Sequence, residues 1–261
     1  MAVDAQMGAP LGRVTEAAAT AMATAGVRFL TEAELSADGP SASLISKTQA
    51  ALRRDIIRHH LAPGRRLKIQ ELTERYGVGL SPIREALSLM CASGLVIRED
   101  RRGFRVAPVS LADYHDARLV LARLWYYAMT LSIANGDQAW EQRLVLALYR
   151  TLKFDWARAE KEPELYREWD DAWRVLQLEF VSGSGSPTLM AVIDTLLDRV
   201  ERYRWLVPEV KTDSARDDRN HRAIVDAMVA RDPDKLRQAL SGYMGAGAVQ
   251  RAAIEAKLQS R

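Results

Sequence analysis

Residues 77–87 read GVGLSPIREAL, and the way this stretch folds decides the architecture of the first half of the chain. Gly77 closes whatever precedes it, and Gly79 lets the following turn be tight. Ser81 is the expected N-cap and Pro82 the expected first residue of a helix, because proline gives up only an N–H that has no helical partner there. That helix should run to about Ala92 with Ile83, Leu87 and Met90 facing inward and Arg84 in its exposed first turn. A short helix of this kind can serve packing, phosphate binding or the reading of DNA.

The neighbouring sequence narrows the choice. Helical periodicity begins at about Lys47, with Leu52, Ile56 and Ile57 on one face, and stops before Ala62-Pro63-Gly64. A second short helix spans about Ile69–Tyr76. After the GVGLSPIREAL helix the period changes: Gly94 to Arg98, a polar tip at Glu99–Gly103, and Phe104-Arg105-Val106 predict a β-hairpin. Helix, helix, turn, helix, hairpin is a winged helix-turn-helix.

Charge points the same way. The net charge is +3, yet residues 41–110 hold 13 Lys/Arg against 6 Asp/Glu, residues 1–40 hold 2 against 5, and residues 111–261 hold 22 against 23. A basic segment fused to a neutral remainder is the footprint of a nucleic-acid module. A helix entering the major groove must be short and free of bulk where it leaves the turn. Gly79, Ser81 and Pro82 meet that need, and Ala86 allows a partner helix to approach. Ser81 and the helix N-terminus favour a phosphate, and Arg84 can reach a guanine edge or the backbone. At the hairpin tip, Arg101 and Arg102 can contact phosphates or enter the minor groove, with Gly103 permitting close approach.

Beyond Leu111 only helical signals remain, over about 111–134, 137–160, 163–182, 187–206, 215–230 and 233–258. The fold class is therefore mainly α: a winged helix-turn-helix over 43–110, then an all-helical bundle over 111–261. Residues 1–42, rich in Ala, Gly, Ser and Thr, read as a poorly ordered arm with room for a short helix near Thr15–Leu30. No apolar run reaches membrane-span length and no signal peptide is legible, so the expected location is the cytoplasm with no membrane partner. The one cysteine, Cys91, excludes an intrachain disulfide. With 4 histidines and no nucleophile or zinc-hydrolase motif, the chain is not expected to be an enzyme. His59 and His60 point about 100° apart on a helix and cannot chelate together. Gly183-Ser184-Gly185-Ser186-Pro187 lacks the ending of a phosphate loop and reads as a helix–helix turn.

The stretch PGRRLKIQELTERYGVGLSPIREALSLMCASGLVIREDRRGFRV resembles the N-terminal domain of GntR-type bacterial transcription regulators. The helical remainder resembles the ligand-binding (FCD) domain of the FadR-type branch, with DARLVLA near its start and RNHRAIVDAMVARDPDKLRQAL near its end. Within the branch, LKIQELTERYGVGLSPIREAL and RYRWL are similar to a carbon-starvation-induced repressor of glutarate catabolism. The resemblance implies a dimeric, ligand-responsive repressor of a catabolic operon that binds double-stranded operator DNA and a small organic acid. It carries DNA contact onto Ser81 and Arg84, and Lys68, Gly79, Pro82, Arg101, Arg102 and Gly103 complete the expected DNA-binding set. Where many members have Ser-Arg, this chain has Gly79-Leu80, so their base preference does not carry over.

The resemblance also implies a divalent metal site in many members of the branch, built from Asp-x-x-x-His and two later histidines. Aligned without a gap, those positions hold Trp173, Gln177, His221 and, 22 residues after His221, Tyr243. Shifting the helix by three puts Asp170 and Arg174 there, and arginine cannot ligate. No metal cofactor is therefore expected. Gln177, His221 and Tyr243 would instead hydrogen-bond an organic anion beside Trp173, with Arg118 pairing with its carboxylate and Arg202 or Arg204 as further cations. The rival reading is a helical binding module that uses its basic winged helix for protein contacts.

Overall fold

Two hydrophobic cores divide the computed structural model, which describes residues 43–100, 102–155, 158, 166–207, 214–246 and 248–260. The first core gathers Leu52 and Ile56 of α1 (Leu44–Ile57), Leu72 of α2 (Ile69–Tyr76), and Ile83, Leu87 and Met90 of α3 (Leu80–Ala92). Each set recurs at helical spacing, so one stripe per helix is buried. Gly77 ends α2 in the left-handed region at φ 64°, where a Cβ would be strained.

A three-stranded antiparallel sheet closes this core in the order β1 (Arg66–Leu67), β3 (Gly103–Val106), β2 (Val96–Glu99). The hairpin is where the period change placed it, and Gly103 takes φ 86° as its tip demands. β1 was not legible, because two residues cannot display a period; Leu67 pairs with Phe104 and both sink into the core.

The second core belongs to α4 (Leu111–Asn135), α5 (Gln138–Leu152), α6 (Tyr166–Ser182), α7 (Pro187–Arg204), α8 (Ser214–Val229) and α9 (Pro233–Ala246). Serine and aspartate caps set the helix starts: Ser110 accepts from the Asp113 N–H at 3.1 Å, and Asp137 from the Trp140 N–H at 2.7 Å. Trp140 is buried and donates its indole N–H to the Glu179 carbonyl at 2.9 Å; a Cβ on Gly136 or Gly183 would strike its ring. The small residues around the GSGSP turn thus make room for one tryptophan.

Two expectations need correction. The helix that opens at GVGLSPIREAL begins two residues early: Gly79 is its N-cap, Ser81 and Pro82 stand second and third, and the Ser81 hydroxyl bonds Glu85 rather than a backbone N–H. Proline is tolerated there because the first N–H groups of a helix lack internal partners anyway. The expected 233–258 helix is taken up by α9 and α10 (Ala248–Gln259). The 137–160 helix ends at Leu152. The expected N-terminal arm and Arg101 lie outside the described residues.

Candidate nucleic-acid interface and ligand pocket

α3 buries Ile83, Ala86, Leu87 and Met90 and exposes Ser81, Arg84, Glu85 and Ser88, which recur at three- and four-residue spacing on one outward stripe. The Ser81 hydroxyl donates to the Glu85 carboxylate at 2.9 Å. Arg84 is exposed, and no carboxylate among the described residues pairs with its guanidinium. Most basic neighbours are tethered: Arg75 to Asp55 at 2.7 Å, Arg105 to Glu99 at 2.7 Å, and Arg66 to the Arg102 carbonyl at 3.2 Å. Arg66 thereby braces the wing tip, leaving the Arg102 side chain in solvent beside Gly103. Lys68, just before α2, shares Glu71 with Arg65 at 2.7 and 3.4 Å. Exposed pairs of that kind contribute little to stability, so a phosphate can replace Glu71.

Asp55 fastens the helices beneath this face. It accepts from the Tyr76 hydroxyl at 2.6 Å and from Arg75. Burial favours its neutral form, but Tyr76, His60 and Arg75 together hold its carboxyl below the usual range.

The second candidate site lies inside the helical bundle. Trp173, Gln177 and Phe180 occupy one face of α6; Phe180 meets Trp125 of α4 edge-on at 5.8 Å, Trp125 meets Tyr243 of α9 at 5.8 Å, and Tyr243 meets His221 of α8 at 5.4 Å. Four helices thus converge on one aromatic-walled interior. Gln177 is 0% exposed and His221 2%, yet neither amide atom of Gln177, neither ring nitrogen of His221 and not the Trp125 indole N–H meets a hydrogen-bonding group of the described residues. Burial, with the nearby Arg204 charge, lowers the His221 pKa to about 4, so the ring is neutral with one donor and one acceptor.

The other expected pocket residues fall differently. Arg118 lies 6.0 Å from the Tyr114 ring, and its electrostatic neighbours are Tyr114 and, on α10, Arg251 and Glu255. Arg202 is a correction. It is 3% exposed, and its guanidinium holds the Ala107 and Pro108 carbonyls at 3.3 Å and Asp113 at 2.9 Å, so it fixes the link between the two cores. Arg204 is the cation beside Trp173 and His221: it lies 4.5 Å from the Trp173 ring centroid, its charge acts on His221, and it pairs with Asp170 at 3.2 Å.

The donor set does not fit a divalent ion. Trp173 offers no lone pair and lies under the Arg204 guanidinium, which would repel a second cation; His221 is the one strong ligand at the aligned positions. Among the described residues no group of three His, Cys, Asp or Glu could hold a metal.

An arginine–carboxylate joint between the cores escaped sequence reasoning. Arg53 of α1 forks onto Asp198 of α7, which also takes Arg174 of α6 at 2.8 Å. Burial opposes ionisation of Asp198, but the two guanidinium groups keep its carboxyl below the usual range. Asp113 receives Arg199, Arg202 and the Tyr203 hydroxyl, and Arg58 reaches Asp170 at 3.1 Å. These residues lie far apart in sequence at ordinary helical positions, so no local signal marks them.

Comparison with known proteins agrees with both halves. The model of the bacterial regulatory proteins, gntR family, matches residues 44–106, and that of the FCD domain matches residues 118–246. The chain is 35% identical to the HTH-type transcriptional regulator BphR of Paraburkholderia xenovorans (strain LB400), over 76% of this chain and 81% of that relative. It is 31% identical to the HTH-type transcriptional repressor GlaR of Escherichia coli (strain K12), over 74% of this chain and 89% of that relative. Its fold is similar to that of E. coli McbR/YncC, with a TM-score of 0.66 at 20% identity, covering 84% of this chain and 99% of the other. Family and relatives are transcription regulators rather than enzymes, and no helix among the described residues is long and apolar enough to cross a membrane. With both models matched in order and a relative 35% identical over most of its length, the chain belongs to the gntR family of bacterial regulatory proteins, a DNA-binding transcription regulator with an FCD domain.

Proposed function

We propose that this regulator is a cytoplasmic repressor of a catabolic operon, released from or settled on its operator by a small organic acid bound without a metal. Residues 43–110 form the DNA-binding unit, and residues 111–261 bind the effector and dimerise. Lys68, Ser81, Arg84, Arg101 and Arg102 meet DNA, while Gly79, Pro82 and Gly103 shape the approach. Trp173, Gln177, His221 and Tyr243 line the effector site.

The observation that carries the reading is Arg84, exposed and without an ion-pair partner among the described residues, on a short helix behind a left-handed glycine turn. A side chain so placed in a major groove can form two parallel hydrogen bonds to one guanine. A homodimer is favoured by exposed apolar side chains on the outer helices, Leu119, Val120 and Tyr127 of α4 with Val145, Leu146 and Tyr149 of α5. Two copies would place two winged helices on a pseudo-palindromic operator.

Titration of the full chain onto a fragment of its own promoter tests the reading. Affinity should fall on the order of 10³-fold between 50 and 200 mM salt, as expected for six or more phosphate contacts. Arg84→Ala should cost about 1–3 kcal/mol of specific binding. A salt-insensitive complex, or an Arg84→Ala variant that binds as the native chain does, would assign the winged helix to protein contacts.

A further inference from the structure

A ligand-responsive regulator needs a group that anchors its effector and a route by which the effector's arrival reaches the DNA-binding unit; both are inferred here on the strength of that proposed function. Arg204, the last residue of α7, is the cation facing the pocket. Its guanidinium lies 4.5 Å from the Trp173 ring centroid and 5.4 Å from that of Trp169, and its charge is felt at His221. Among the described residues its ion-pair partner is Asp170, with Nη2 3.2 Å from Oδ1. The other oxygen of Asp170 accepts from Nη2 of Arg58 at 3.1 Å, and Arg58 follows α1 directly as its C-cap. Arg58 in turn lies 5.3 Å from the Trp205 ring centroid, beside Arg204 in sequence. One buried carboxylate, 6% exposed, is thus shared by an arginine of the pocket and an arginine of the DNA-binding unit.

That sharing is weak on both sides. Each arginine reaches Asp170 through one nitrogen, where a forked guanidinium–carboxylate pair would use two. Burial, reinforced by Glu201 and Asp171, outweighs both cations and pushes the Asp170 pKa up to about 6. A ligand carboxylate that engaged Arg204 through both nitrogens would make the better partner. Gln177 and neutral His221, buried with unmet polar atoms, are in place to bind the remainder of such a molecule.

We propose that Arg204 is the carboxylate anchor and specificity-determining residue of the pocket, and that the ligand takes it from Asp170, so that occupancy is communicated through the Asp170–Arg58 pair to the DNA-binding unit. The resident Asp170 is an internal competitor of the ligand, which sets a threshold on the affinity. Arg118 is not required as the anchor.

The test uses the full chain with succinate, glutarate and adipate as probes, read by calorimetry and tryptophan fluorescence, with promoter affinity measured with and without probe. At least one probe should bind, and Arg204→Met should weaken it tenfold or more. Arg204→Lys, which keeps the charge but loses the fork, guards against a folding defect and should also weaken it severalfold. Asp170→Asn should tighten the same probe severalfold by removing the competitor. Arg58→Met should bring the probe's effect on promoter affinity close to onefold. The inference is overturned if no probe binds native protein that still shows salt-dependent DNA binding, a result that spares the regulator reading. It is equally overturned if Arg204→Lys binds as the native chain does, if Asp170→Asn does not tighten binding, or if Arg58→Met retains the full effect. Absence of salt-dependent DNA binding breaks the regulator reading first, and this inference with it.

Discussion

The two sites of this protein both leave polar side chains without protein partners, but they do so in opposite media. Arg84 extends from α3 into water, whereas Gln177 and His221 are enclosed among aromatic rings. An exposed guanidinium is solvated, so its readiness for DNA carries little folding cost. A buried amide or imidazole with unmet hydrogen bonds costs about 1–3 kcal/mol, and that penalty is recovered when a polar ligand arrives. The DNA face is therefore compatible with full stability, while the pocket trades stability for binding.

Four measurements bear on this contrast. The largest effect is expected at the joint between the regions: Asp198→Ala removes the carboxylate that Arg53 forks onto and leaves Arg174 with Asp194 and Glu201 alone, and it should cost about 3–5 kcal/mol in urea unfolding. A loss below about 1 kcal/mol would mean that the joint does not bind the cores together.

Next in size is pH. His221 titrates at about 4 in the fold against an ordinary 6.5, so the unfolded chain takes up its proton first. Its contribution to stability therefore rises with pH from about 4 to 6.5 and is constant above. Asp170 runs the other way, because its pKa of about 6 exceeds the usual 3.8: its proton stabilises the fold at low pH and that contribution is lost as pH rises to about 6. Each amounts to about 3 kcal/mol at most, and they offset one another over the shared interval. Asp170→Asn should make stability climb more steeply from pH 4 to 6.5, and His221→Gln should flatten or reverse the climb. Parallel profiles for the three proteins would remove the pocket's distinctive electrostatics.

Gln177→Leu comes third. Replacing an unmet buried amide with a side chain of similar volume should raise stability by about 1–2 kcal/mol, seen as a higher Tm, while abolishing carboxylate binding. A lower Tm would show that Gln177 has a partner in solution. Arg84→Ala is the smallest in this measure: a change within about 0.5 kcal/mol in stability, despite its loss of DNA binding.

The winged helix was legible because its signals are local. Gly77, the Ile83–Leu87–Met90 stripe and Gly103 each fix their own backbone, and the period change after Ala92 marks the hairpin. Even there a two-residue shift in the helix start moved Ser81 from cap to side-chain partner of Glu85. The pocket was half legible. The resemblance groups Trp173, Gln177, His221 and Tyr243, and the structure sets His221 against Tyr243 and Tyr243 against Trp125. The cations were not legible: ERYR puts two arginines within one turn, and only the packing of α7 sends Arg202 to the interdomain link and Arg204 to the pocket.

Residue type and spacing along one chain were enough to set the family, the order of the elements and the basic character of the first unit. Which arginine meets which carboxylate was left to the packing of the helices. Ion pairs such as Arg53–Asp198 and Arg58–Asp170 join residues more than a hundred positions apart, and their existence depends on how α1 lies against α6 and α7. Burial does the rest: the same aspartate is held below the usual range at 198 and raised at 170, because at 198 two guanidinium groups outweigh the loss of water and at 170 they do not.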